Sequence, residues 1–390
     1  MTDEIRPFEV HVADEVLTDL RDRLNRTRWP DRIEGSGWTY GTDRTYLQEL
    51  CTSWADEFDW RAWEQRLNRY EQFVTTIDGV DIHFLHERSY VNDALPMVMT
   101  HGWPGSVLNF LPVIGPLTDP VAEGGDPGDA FHLVIPSLPG YGFSDKPTEP
   151  GWDVQRIAEA WAVLMERLGY DHYVAQGGDW GSMVSSRLAA HDPEHCAALH
   201  LNLVLGMPTD DEPDEPSATE QAAMADMATY LDDGSGYARI QGTRPQTLSY
   251  GLNDSPAGQA AWIVEKFREW TDCDGDVETA VTRDDLLATI ALYWITETAG
   301  SSARLYYESQ RADTFGLGPR VDAPTGCAIY PREIMRPPQR WAEQLYHVTR
   351  YTELERGGHF PTLEVPDLFV DDVRAFFAEG GPSGARLGLD

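Results

Sequence analysis

Basic residues are scarce in this chain: 30 Lys and Arg stand against 65 Asp and Glu, a formal net charge of −35 over 390 residues. A surface of that sign repels phosphate backbones and anionic lipid headgroups, which argues against nucleic-acid and membrane-surface partners. Cysteine is scarce too. Cys51, Cys196, Cys273 and Cys327 are widely scattered with no C-x-x-C pair, so no disulfide framework is expected and the four read as reduced structural thiols. Long apolar runs are missing: the longest near-apolar stretch, Leu286 to Ile295, is too short for a bilayer, which needs about 20 residues. The start, Met1-Thr2-Asp3-Glu4, is acidic with no apolar segment behind it, so neither a signal peptide nor an anchor is expected and the location inferred is cytoplasmic.

What is present suits an ordinary globular protein, 41% hydrophobic and 11% aromatic. The length fits two to three domains of about 150 residues, or one large α/β core with insertions. Residues 1–72 form a mostly helical arm, with apolar residues at helical spacing from Ala13 to Leu24 and from Tyr46 to Trp54. Five tryptophans, Trp29, Trp38, Trp54, Trp60 and Trp63, suggest that this arm is packed onto a neighbour through large apolar rings. From Phe73 the period changes. Two β-like runs flank Asp78-Gly79, a hairpin turn signal, and Leu95–Thr100 and Phe131–Ile135 are short apolar runs without alternation, as buried parallel strands are. A helical pattern, Val154 to Leu168, separates them from Tyr173-Val174-Ala175, and alternation of this kind predicts a doubly wound sheet with its ligand site at the carboxyl ends of the strands. Residues 73–207 are therefore read as the first part of the core. An acidic, proline-rich linker, Pro208 to Pro216, opens a helical region over 208–318, and sheet signals return in a second core part, 319–390.

The stretch that organises the rest is Gly177-Gly178-Asp179-Trp180-Gly181. It has the spacing of the G-x-S-x-G nucleophile elbow, with aspartate where serine would stand. A carboxylate with a reference pKa of about 3.9 is ionised at neutral pH and can attack carbon directly, making an ester. His101-Gly102-Trp103-Pro104-Gly105 follows an earlier strand, where such folds place one oxyanion donor, and the residue after the nucleophile supplies the other. The backbone amides of Trp103 and Trp180 are the candidates. Gly357-Gly358-His359, late in the chain, completes the order nucleophile, acid, histidine. His191-Asp192-Pro193-Glu194-His195 matches the metal-binding pattern H-x-x-E-H, but Pro193 breaks the helix that this motif needs, so no metal is assigned.

Taken together, the HGWPG turn, Pro139-Gly140-Tyr141-Gly142-Phe143-Ser144-Asp145, the aspartate elbow and Arg356-Gly357-Gly358-His359-Phe360 resemble the microsomal-type epoxide hydrolases over nearly the whole chain. The resemblance implies an α/β-hydrolase core sheet with a helical cap inserted after the sixth strand and a Trp-rich N-terminal arm. Without the family's membrane anchor, the chain looks like a soluble, bacterial-style member. The resemblance also implies roles: Asp179 as nucleophile, His359 as base for the hydrolytic step, and Glu333 as the carboxylate that orients His359. Tyr237 and Tyr306 are implied as cap tyrosines that polarise the epoxide oxygen, with Tyr307 the alternative to Tyr306. No cofactor is implied. The partner is a small-molecule epoxide, bulky or aromatic, in detoxification or natural-product biosynthesis; the oligomeric state is open, a homodimer included. Two alternatives stand beside this reading, a haloalkane dehalogenase-type hydrolase and a non-catalytic hydrolase-fold binding protein. His359 is expected to titrate near its reference pKa of about 6.5.

Overall fold

In the computed structural model, which describes residues 4–208, 216–378, 380–381 and 383–385, the turn at Asp78-Gly79 leads into a nine-stranded sheet. Both turn residues have positive φ, 50° and 81°, which matches the twist of the strands they join. β2 (Gln72–Ile77) and β3 (Val80–Glu87) pair antiparallel across the turn, and β1 (Ile5–Pro7) adds an antiparallel edge to β2. β1 is the exception to a helical arm, since three residues carry no readable period. Counting it moves the helical insertion from after the sixth strand to after the seventh.

The remaining strands are β4 (Leu95–Thr100), β5 (Phe131–Pro136), β6 (Tyr173–Gly177), β7 (Cys196–Leu201), β8 (Val321–Ile329) and β9 (Tyr346–Glu353). The order across the sheet is β1-β2-β3-β5-β4-β6-β7-β8-β9, with β3 antiparallel to β5 and every pair from β5 to β9 parallel. Because β5 and β6 lie on opposite sides of β4, the order reverses there. The loops after β4 and β6 open into the crevice this creates, beside the join Thr100↔Gly177.

The arm carries α1 (Asp14–Asn25), α2 (Arg44–Asp56) and α3 (Trp60–Leu67). Trp54, Trp60 and Trp63 are buried, Trp29 and Trp38 half-buried, and the Trp63 indole donates to Asp284 at 2.9 Å. Against the sheet lie α4 (Leu111–Thr118), α5 (Val154–Arg167) and α6 (Trp180–His191). α5 starts where Asp153 accepts from the Arg156 amide, and it buries Ile157, Trp161 and Leu164, spaced to fall on one face. α6 ends at His191, two residues before Pro193.

Between β7 and β8 come α7 (Ala218–Thr229), α8 (Gly236–Thr243), α9 (Pro245–Asp254), α10 (Pro256–Trp270), α11 (Arg283–Ile295) and α12 (Ala299–Arg311). In this insertion α12 packs on α8 and α9. Most of the linker read at Pro208 to Pro216, residues 209–215, lies outside the described residues. α13 (Gln339–Ala342), α14 (Pro361–Glu364) and α15 (Pro366–Phe377) complete the chain, and α15 packs beside α4. Among the described residues no helix is long and apolar enough to cross a membrane.

Candidate active site

Asp179 sits between β6 and α6 with φ 53° and ψ −128°, a conformation that costs a side-chain-bearing residue about 1–3 kcal/mol. Packing holds it there. A Cβ on Gly181 would collide with the Thr100 carbonyl, and one on Gly102 would collide with the Asp179 carboxylate itself. Glycine at both places lets the loop after β4 lie directly against the elbow. The Trp103 amide then donates to Asp179 Oδ1 at 2.7 Å. The Trp180 amide, at the first position of α6, makes no hydrogen bond to Asp179, so only one of the two expected donors meets the resting carboxylate.

His359 Nε2 stands 3.3 Å from Asp179 Oδ2, and its Nδ1 donates to Glu333 Oε1 at 2.6 Å. The same Glu333 oxygen accepts from the Ile334 amide, while Oε2 is buried with no partner. Burial lowers the His359 pKa, but the carboxylates of Glu333 and Asp179 more than offset it and hold the imidazole up at about 10. This corrects the expectation of a value near 6.5. Two flanking carboxylates favour the imidazolium form of the resting ring.

Tyr237 on α8 and Tyr306 on α12 are both buried, with ring centroids 5.9 Å apart. Tyr237 stacks on Trp103 at 5.0 Å, and Tyr306 meets Trp180 edge to face at 4.6 Å. The helix thus turns Tyr306 inward, whereas half-buried Tyr307 lies under the Arg311 guanidinium. Burial first, then neighbouring tyrosines and the Asp179 charge, push both Tyr237 and Tyr306 well above the usual phenol range. Both are therefore protonated donors in the resting site.

Comparison with known proteins bears on the fold and the family. A family model described as the epoxide hydrolase N terminus matches residues 5–110, and one for the α/β hydrolase fold matches residues 96–253. Epoxide hydrolase 1 of Sus scrofa is 36% identical over 402 residues, spanning 96% of this chain and 88% of that one. The chain belongs to the epoxide hydrolase family. A Stigmatella aurantiaca protein, whose own assignment as an epoxide hydrolase is provisional, is 50% identical over 376 residues, 96% of this chain and 85% of that one. The crystal structure of juvenile hormone epoxide hydrolase from the silkworm Bombyx mori superposes with a TM-score of 0.86 at 32% identity, covering 95% of this epoxide hydrolase and 93% of that chain. The Aspergillus niger epoxide hydrolase does so with 0.84 at 32% identity, covering 95% of each.

Sequence reasoning about this epoxide hydrolase missed several groups around the site. The Tyr230 hydroxyl lies 3.1 Å from that of Tyr237. The Trp270 carbonyl, at the end of α10, accepts from the His359 amide at 2.8 Å. Glu364 accepts from the Phe360 amide at 2.9 Å and from the Asp272 amide at 2.8 Å, joining the histidine loop to the end of α10. Burial pushes Glu364 up to about 7 in spite of those two donors. Nothing in the local sequence marks Glu364, because the contact that joins it to α10, with the Asp272 amide, comes from a distant segment. Asn202 did leave a signal, an amide among apolar residues at the carboxyl end of a strand.

Proposed function

We propose that this epoxide hydrolase works through a covalent alkyl ester on Asp179. The carboxylate attacks one ring carbon, the C–O bond to that carbon breaks, and Tyr237 and Tyr306 donate hydrogen bonds to the released oxygen. That oxygen takes the proton given up by the resting His359 imidazolium, leaving a hydroxyalkyl ester and a neutral imidazole. His359, oriented by Glu333, then removes a proton from the water that attacks the ester carbonyl. The oxyanion so formed lies at the Trp103 amide, with the Trp180 amide as second donor, each worth roughly 3 kcal/mol in comparable sites. Collapse releases a vicinal diol.

The observation that carries this reading is the convergence on one strained carboxylate of a 2.7 Å amide donor and a histidine at 3.3 Å already paired to a glutamate, with two buried phenols near enough to feel its charge. Residues 208–318 act as the cap that supplies the phenols, 1–72 as the arm that packs on it, and 73–207 with 319–390 as the catalytic core. The aromatic lining of Trp103, Trp180 and Trp270 favours a bulky or aryl epoxide, and the acidic balance favours a soluble, cytoplasmic enzyme.

The test is a pair of variants. Asp179→Asn should lose turnover altogether. His359→Gln should still be alkylated by styrene oxide and accumulate the ester, seen as a mass increase of one substrate. Wild-type turnover by His359→Gln would refute the mechanism. In heavy-oxygen water, the diol from a single turnover should carry unlabelled oxygen drawn from Asp179; label there would mean direct attack by water.

A further inference from the structure

Asp179 and His359 face a cavity whose lining includes neither Tyr237 nor Tyr306. It is walled by the two catalytic side chains, Asn109, Phe110, Asn202 and Thr362, among others. Its volume is about 40 Å³. One water molecule needs roughly 10–15 Å³ of such space, so the cavity has room for about three waters. A drug-sized organic ligand needs roughly 300 Å³ or more.

Two polar groups on its wall have no partner among the described residues. Asn202 is 4% exposed and Thr362 5%. Gln176 Nε2 donates to Asn202 Oδ1 at 2.9 Å, but Asn202 Nδ2 has no partner among the described residues. The Thr362 hydroxyl has none either. Buried polar groups without partners are expensive, and small waters are what usually satisfy them. A cavity of water size, bounded by His359, Asp179, the Asn202 Nδ2 and the Thr362 hydroxyl, suits water.

We propose that this cavity binds the hydrolytic water and that Asn202 and Thr362 position it between His359 Nε2 and Asp179. The inference rests on the ester reading above. Once Asp179 is alkylated, the water oxygen bonds to its Cγ while one water proton passes to His359 Nε2. The tetrahedral oxyanion then collapses, the Cγ–O bond to the substrate breaks, and the departing diol oxygen takes the proton from His359. Asp179 keeps an oxygen from water and gives one of its own to the diol.

The experiment is rapid mixing of the enzyme with styrene oxide, following ester formation and decay by acid quench and intact mass. Thr362→Val keeps the side-chain shape and breaks no protein hydrogen bond; Asn202→Ala is the second variant. In both, the ester should form at the wild-type rate and decay about tenfold more slowly, the order expected for one lost hydrogen bond. Alkylated enzyme should then build up, with kcat and KM falling together and kcat/KM unchanged. Wild-type ester decay in both variants overturns the water site and leaves the ester reading intact. Equal slowing of formation and decay also overturns it, since that would mark a structural role. If His359→Gln forms no ester, the ester reading falls and the water site with it.

Discussion

The charge on His359 follows from its neighbours, and under the proposed mechanism it would change during the reaction. With Glu333 at 2.6 Å and Asp179 at 3.3 Å, the ring is held up at about 10 although burial works against it, so the resting enzyme carries an imidazolium. An imidazolium cannot act as a base. Under the proposed mechanism, alkylation would turn Asp179 into a neutral ester and remove one of the two carboxylates, while the alkoxide formed at the same moment would take a proton. The histidine would then become a base only once there was an ester to hydrolyse. We expect the His359 pKa to fall in Asp179→Asn, measured by NMR titration of the ring; an unchanged value would show that Glu333 alone sets it. The same shift has a consequence for stability. A folded-state pKa raised above the unfolded value of about 6.5 contributes stability in full below pH 6.5, and this is lost as pH rises through about 10. Thermal melts of the wild type should therefore fall over that window more steeply than those of His359→Gln.

At the scale of elements, the site exists because two loops that follow neighbouring parallel strands are allowed to touch. Gly102 is the contact point, with no room for a Cβ beside the Asp179 carboxylate. Gly102→Ala should fold but displace Asp179 from the Trp103 amide, cutting ester formation by about a hundredfold or more, the scale of a misplacement near 1 Å. Stopped-flow alkylation with a circular dichroism control would check this. The elbow, the Asp-Gly hairpin and the Gly-Gly-His loop were legible in the sequence because each is local: glycine spacing and strand period report the backbone directly. The edge strand Ile5–Pro7 was not, since only its pairing with β2 makes it a strand. The same is true of the choice between Tyr306 and Tyr307. Adjacent residues on a helix point about 100° apart, and only the packing of α12 decides which of them meets Trp180. Thr362 and Glu364 were illegible as site residues for a related reason, since the groups that bring them to the site, such as the Asp272 amide that Glu364 accepts from, lie far away in the chain.

Across the whole molecule, the last helix is tied to the sheet by charge. Asp372 of α15 is 4% exposed; His200 of β7 donates to its Oδ2 at 2.9 Å, and Arg350 of β9 donates twice to its Oδ1, at 2.9 and 2.6 Å. One carboxylate thereby joins two separate strands to the chain's final helix. Burial alone would raise its pKa, but the bonds to His200 and Arg350 outweigh that and hold it at about 2. The sign is opposite to that of His359: the contribution is complete above the unfolded pKa of about 3.9 and is lost as pH falls through 2. Removing the carboxylate leaves buried His200 facing nothing and Arg350 without its bidentate partner, a loss of about 3–5 kcal/mol for a buried pair broken on one side. Asp372→Ala should show that drop in urea unfolding at pH 7. Its deficit should shrink towards pH 2, where the wild type also loses the carboxylate. Ester formation by the folded fraction should stay at the wild-type rate, because no residue of this network touches Asp179. A deficit that did not change with pH would mean that shape, not charge, seats α15.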